Sequence, residues 1–122
     1  MAKLLVIDDS RFSRKRLIEC LKQGKHEIIE AENGIKGFEL AQHHQPDCIL
    51  CDLLMPEMDG YQFLEKLREN DINIPVIVVT ANIQETARQR AFDLGAIEVL
   101  NKSLSSSSGL LETVSAVIEN RR

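Results

Sequence analysis

The stretch LLVIDDS, residues 4–10, joins four consecutive apolar side chains to two adjacent carboxylates, Asp8 and Asp9. An uninterrupted apolar run, rather than an alternating one, is the pattern of a parallel strand covered on both faces. The two anions at its end repel each other, so their placement asks for a positive partner.

Four more apolar runs occur along the chain: His26–Ala31, centred on Ile28 and Ile29, then Cys48–Cys51, Val76–Val79 and Ile97–Leu100. Helical spacing fills the gaps between them. Ser13, Leu17, Cys20 and Leu21 share one face of a helix that Gly24 can end. Ile35, Phe38 and Ala41 form a second face after the Asn33-Gly34 turn and before Pro46. Tyr61, Leu64 and Leu67 form a third after Gly60; Ile83, Ala87, Ala91 and Leu94 a fourth, with Gly95 at the C-cap position; and Leu110, Val114, Val117 and Ile118 a fifth. SLSSSSG, residues 103–109, reads as the loop before the last helix. The result is an α/β pattern, (βα)5, which predicts a doubly wound open parallel sheet with helices on both faces.

At 122 residues the chain suits one domain, 1–122, with a core that needs no disulfide or metal. Fifteen basic against 19 acidic side chains give a net charge of −4, which argues against nucleic acid as a partner. Cys48 and Cys51 match C-x-x-C, but residues three apart on a strand point to opposite faces, so they read as buried strand cysteines in a reducing, cytoplasmic setting. No apolar run approaches the ~18 residues of a membrane span, and no signal-peptide pattern opens the chain.

The residues at the end of each apolar run carry the chemistry. Asp8 and Asp9 come after the first, Asp52 after the third, Thr80 and the small Ala81 after the fourth, and Lys102 after the fifth. A parallel sheet collects these ends at one edge, where such folds bind their ligands. Three carboxylates in a small site call for a cation, and oxygen donors suit Mg²⁺. Asp52 could also attack phosphorus to form an aspartyl phosphate, with Lys102 and Thr80 contacting the phosphoryl oxygens.

VIDDS at 6–10, CDLLMPEMDG at 51–60, VVTA at 78–81 and LNK at 100–102 together resemble a response-regulator receiver domain of two-component signalling. The resemblance spans essentially the whole chain. It implies a flavodoxin-like strand order, 2-1-3-4-5, and phosphoryl transfer to Asp52 from a histidine kinase or histidine phosphotransfer protein, altering the binding of a downstream protein. It further implies Mg²⁺ held by Asp9, Asp52 and the backbone carbonyl of Leu54, with Asp8 directly or through water. Thr80 matches the family's phosphate-sensing hydroxyl and Lys102 its essential lysine. Catalysis would be confined to the protein's own phosphorylation and dephosphorylation. The chain would be either a complete single-domain regulator or the receiver of a longer one.

Four positions depart from the family pattern. Ser103 stands where proline often comes after the lysine; a non-proline cis bond costs about 2.5–4 kcal/mol, so a trans bond and a looser lysine loop are expected. Val99 replaces the usual aromatic three residues before the lysine, and cannot report by a ring flip. Leu54 and Asn82 fill positions that tune dephosphorylation, where a bulky Leu54 should hinder water. Arg11, Arg14, Lys15 and Arg16 make a basic cluster, read as a solvated face or as a surface steering the phosphodonor. His43 and His44 suit a helix C-terminus, and Asp59 a turn. Competing readings are an aspartyl-phosphate phosphatase, which would want an acid at position 54, a flavin-binding flavodoxin, which would want a Ser/Thr/Gly-rich loop after the first strand, and a docking module that needs no phosphate.

Overall fold

A computed structural model describes residues 2–81, 84–102 and 107–121. Among them five strands, β1 (Lys3–Ile7), β2 (Glu27–Ala31), β3 (Cys48–Cys51), β4 (Val76–Thr80) and β5 (Glu98–Asn101), form one parallel sheet in the order β2-β1-β3-β4-β5. The helices α1 (Arg11–Lys22), α2 (Gly34–His44), α3 (Gly60–Glu69), α4 (Glu85–Asp93) and α5 (Ser107–Arg121) alternate with the strands. The expected architecture and strand order are both found.

The period-two geometry of strands divides the core into two layers. Leu4 and Val6 face α1 and α5, packing with Leu17, Leu21, Leu110 and Val114. Leu5 and Ile7 face the other way, into a layer with Phe38, Phe63, Leu67 and Ala91 from α2, α3 and α4. Cys48 belongs to the first layer and Cys51 to the second, so the C-x-x-C pair is no dithiol centre; none of the three cysteines is disulfide-bonded.

Helices α1, α2 and α3 start just beyond the carboxyl ends of their strands, each with a side-chain cap. Ser10 Oγ accepts from the Ser13 N–H, Asn33 Oδ1 from the Lys36 N–H, and Asp59 forms a reciprocal capping box with Gln62. The turn role expected of Asp59 is thus a helix cap.

Four expectations need correction. Ile35 is 43% exposed, because Gly34 and Gly37 take the buried face of α2. A side chain at Gly37 would strike Ile7, so the glycine is what lets α2 lie close on β1. Ile97 precedes β5 and is 45% exposed, while Ala96 fills the buried position beside it. The last helix begins at Ser107, so residues 107–109 are helical. Arg14 is no solvated charge, because its guanidinium is engaged by the Asp8 main chain and by Glu30. Asn82, Ile83, Ser103 and with it the Lys102–Ser103 bond lie outside the described residues.

Gly60 ties α3 to the end of β3. Its N–H donates to the Leu53 carbonyl at 2.9 Å, and an added Cβ would lie 2.5 Å from the Asp52 carbonyl oxygen and 2.8 Å from Leu53 Cα. These obstacles are backbone, which cannot swing aside. Gly60→Ala should therefore destabilise the fold by about 1–3 kcal/mol in urea unfolding; an unchanged midpoint would contradict this packing.

Candidate functional site

Backbone hydrogen bonds hold three charged residues one step beyond their strands. The Asp8 N–H donates to the Ala31 carbonyl at 3.2 Å, the Asp52 N–H to Ile7 at 3.1 Å, and the Lys102 N–H to Thr80 at 2.9 Å. The sheet ladder, not the loops alone, therefore sets where these side chains begin. At that edge Lys102 Nζ lies 2.8 Å from Asp52 Oδ2 and 2.9 Å from Asp8 Oδ2. Asp8, Asp9 and Asp52 offer carboxylate oxygens that all lie within 4.8 Å of one another.

Burial differs sharply among the three acids. Asp8 is wholly buried, Asp52 nearly so, and Asp9 is exposed. The other carboxylate oxygens are met by the adjoining loops. Asp52 Oδ1 accepts from the Leu53 N–H at 2.7 Å, with the Leu54 N–H at 3.4 Å. Asp8 Oδ1 accepts from the Ser10 N–H at 2.9 Å, and Asp8 Oδ2 also accepts from Ser13 Oγ at 2.6 Å. Hydrogen bonds to the charged form are what make a buried carboxylate tolerable.

Among the described residues Asp8 and Asp52 share the ammonium of Lys102 and Asp9 lies close to them, so the cluster stays negative. Partial burial of Lys102 opposes its charge, but hydrogen bonds and attraction from Asp52 and Asp8 outweigh this and hold its pKa above the ordinary lysine value. The same field acts on Cys51, whose Sγ donates to the Asp52 carbonyl at 3.2 Å. Burial first, and then the carboxylates of Asp52, Asp8 and Asp59, push that thiol well above its usual pKa, so it is no nucleophile. The donor set of clustered carboxylate oxygens, one acid open to water, fits a hard divalent cation such as Mg²⁺.

The residues singled out in the sequence thus largely converge. Asp8 and Asp52 meet Lys102 directly, and an Asp9 carboxylate oxygen lies within 4.8 Å of theirs. Thr80 is buried at the end of β4 in register with Asn101, and Leu54 is 62% exposed on the loop after Asp52. Val99 is buried, and its carbonyl accepts from Arg88 Nη1 of α4 at 3.0 Å. Arg11, Lys15 and Arg16 are exposed as a solvated face would be. Arg14 is different: Nη1 donates to the Asp8 carbonyl at 2.6 Å and Nε pairs with Glu30 at 2.7 Å. Sequence pattern did not mark Arg14 and Ser13 as parts of the site. The available signal was their place in the first turn of a helix that starts beside Asp8, where N3 side chains reach back past the cap. A cleft of about 560 Å³ opens at the opposite edge of the sheet, beside Pro75 and Ile97, and none of these acids lines it.

Comparison with known proteins points one way. A family model described as the response regulator receiver domain matches residues 4–115. The protein PilH of Pseudomonas aeruginosa is 36% identical over 120 residues, covering 97% of this chain and 98% of that protein. The transcriptional regulatory protein SrrA of Staphylococcus aureus is 41% identical over 103 residues, which are 84% of this chain but 42% of SrrA. The solved signal receiver domain of NarL from Mycobacterium tuberculosis superposes with a TM-score of 0.91 at 27% identity, covering 97% of this chain and 96% of that one.

The shared ammonium makes a measurable claim. In a double-mutant cycle with Lys102→Met and Asp8→Asn, read by urea unfolding, the two residues should couple by about 0.5–3 kcal/mol. Additive effects would show that the contact contributes nothing in solution.

Proposed function

The chain belongs to the response-regulator receiver domains of two-component signalling, and on that premise we propose that it is a phosphoacceptor switch in which Asp52 takes a phosphoryl group from a phosphohistidine. The donor would be a histidine kinase or a histidine phosphotransfer protein. The observation that carries this reading is the ammonium of Lys102 bridging Asp52 and Asp8 at the sheet edge, with Asp9 beside them.

In the proposed step an Asp52 carboxylate oxygen attacks phosphorus. The P–N bond breaks and its electron pair returns to the imidazole nitrogen. Lys102 shifts from the carboxylates toward the new phosphoryl oxygens, and Thr80 supplies a hydroxyl donor to them. Asp9, Asp52 and the Leu54 carbonyl, with Asp8 directly or through water, are the groups that would hold Mg²⁺. When bound, the ion neutralises charge on the transferring phosphoryl group. Turnover is confined to the protein's own phosphorylation and dephosphorylation, and the output is altered binding of a protein target. The proposed setting is the cytoplasm; no helix among the described residues is long and apolar enough to cross a membrane.

The phosphatase reading fares worse, since the position that would need an acid holds Leu54, an exposed apolar side chain. Incubation with a small phosphodonor and Mg²⁺ should give one acid-stable, base-labile phosphate in the wild type and none in Asp52→Asn. Phosphate that survives Asp52→Asn, or its absence from both, would overturn the assignment. A bulky Leu54 two residues after the acceptor should hinder an attacking water, so the wild-type phosphate should outlast that of Leu54→Asn; equal half-lives would count against the shielding.

A further inference from the structure

The two buried carboxylates are held unequally. Each has its Oδ1 fixed by a backbone N–H of the adjoining loop, and each shares its Oδ2 with Lys102. Asp8 Oδ2 has an additional donor, Ser13 Oγ at 2.6 Å, whereas among the described residues Asp52 Oδ2 has no second hydrogen-bond donor. The difference matters once Lys102 is drawn away. A divalent cation repels the ammonium, and a phosphoryl group attracts it. Asp52 Oδ2 is then released, as a nucleophile should be. Asp8, which has no solvent to turn to, keeps Ser13 and the Ser10 N–H.

Ser13 is itself well fixed. It is the third residue of α1, and its own N–H donates to the N-cap Ser10 Oγ at 3.2 Å. The next residue, Arg14, grips the Asp8 carbonyl from the same helix turn. The first turn of α1 therefore holds Asp8 at both its carboxylate and its main chain, independently of β5.

We propose that Ser13 is a positioning residue of the site: its hydroxyl holds the Asp8 carboxylate in place so that Lys102 can leave it when cation and phosphoryl group arrive. This rests on the phosphoacceptor reading for the phosphoryl half alone. Ser13 acts through Asp8 and touches neither substrate nor acceptor. Groups that orient a ligand from behind typically change metal affinity or activity by about 10–100-fold when removed.

The test compares wild type, Ser13→Ala and Ser13→Thr by calorimetric titration with MgCl2 alone, by phosphorylation rate with a small phosphodonor, and by urea unfolding to confirm a folded chain. Ser13→Ala should weaken Mg²⁺ binding about tenfold and slow phosphorylation at saturating Mg²⁺, and Ser13→Thr, which keeps the hydroxyl, should restore both. Wild-type Mg²⁺ affinity in Ser13→Ala would overturn the proposal, as would equal loss in the alanine and threonine variants. If the wild type binds Mg²⁺ in a Ser13-dependent way yet takes no phosphate on Asp52, the phosphoacceptor reading fails while the role of Ser13 at the cation site stands.

Discussion

One ammonium shared by two buried carboxylates is the contact on which the rest of this structure turns. Lys102 reaches Asp8 and Asp52 together only because three strands end at the same edge and the ladder extends one residue past each. Shift β5 by one residue and its side chains exchange faces, so the lysine would point away from the acids. The register of the sheet is therefore also the geometry of the site. Because Asp9 adds a third carboxylate, the lysine balances the charge only in part. What remains is an attraction for a second cation, and the crowding of acids in LLVIDDS becomes intelligible as that attraction.

The site is tied into the elements around it. On the α1 side, Ser10, Ser13 and Arg14 tie Asp8 to the first helical turn, and Glu30 of β2 anchors Arg14 in turn. On the β3 side, Gly60 draws α3 close to the loop after Asp52. On the α4 side the contacts come from arginines. Val99 fills a core position without an aromatic ring, and Arg88 holds its carbonyl from α4 while lying against Phe92, with its guanidinium carbon 5.3 Å from the ring centroid. Arg90 packs over Tyr61 of α3, its guanidinium carbon 4.0 Å from that ring. Arginine side chains of α4 thus reach both β5 and α3.

Much of this was legible in the residues. The apolar runs located all five strands to within a residue or two, since buried parallel strands need uninterrupted apolar sequence. The strand-end acids and the lysine could be picked out because topology collects strand ends. The errors have physical causes too. Ile35 looked buried because periodicity ranks isoleucine above glycine, yet close helix–sheet approach requires the glycine at position 37. The first turn of α5 contains only Ser107, Ser108 and Gly109 before the apolar stripe begins at Leu110, so no pattern announced it. Ser13 and Arg14 looked like one more helix-face residue and one more surface charge. Their roles depend on where α1 sits over the end of β1, which composition does not encode.

The most direct test of the central claim is whether the unbalanced carboxylates draw a divalent cation that stabilises the fold. Urea unfolding of the wild type in MgCl2, against NaCl at matched ionic strength, measures this without any phosphodonor. Stability should rise with Mg²⁺ beyond the salt control, by about 2.7 kcal/mol when the ion stands roughly 100-fold above its Kd. Identical unfolding curves in the two salts would contradict the account.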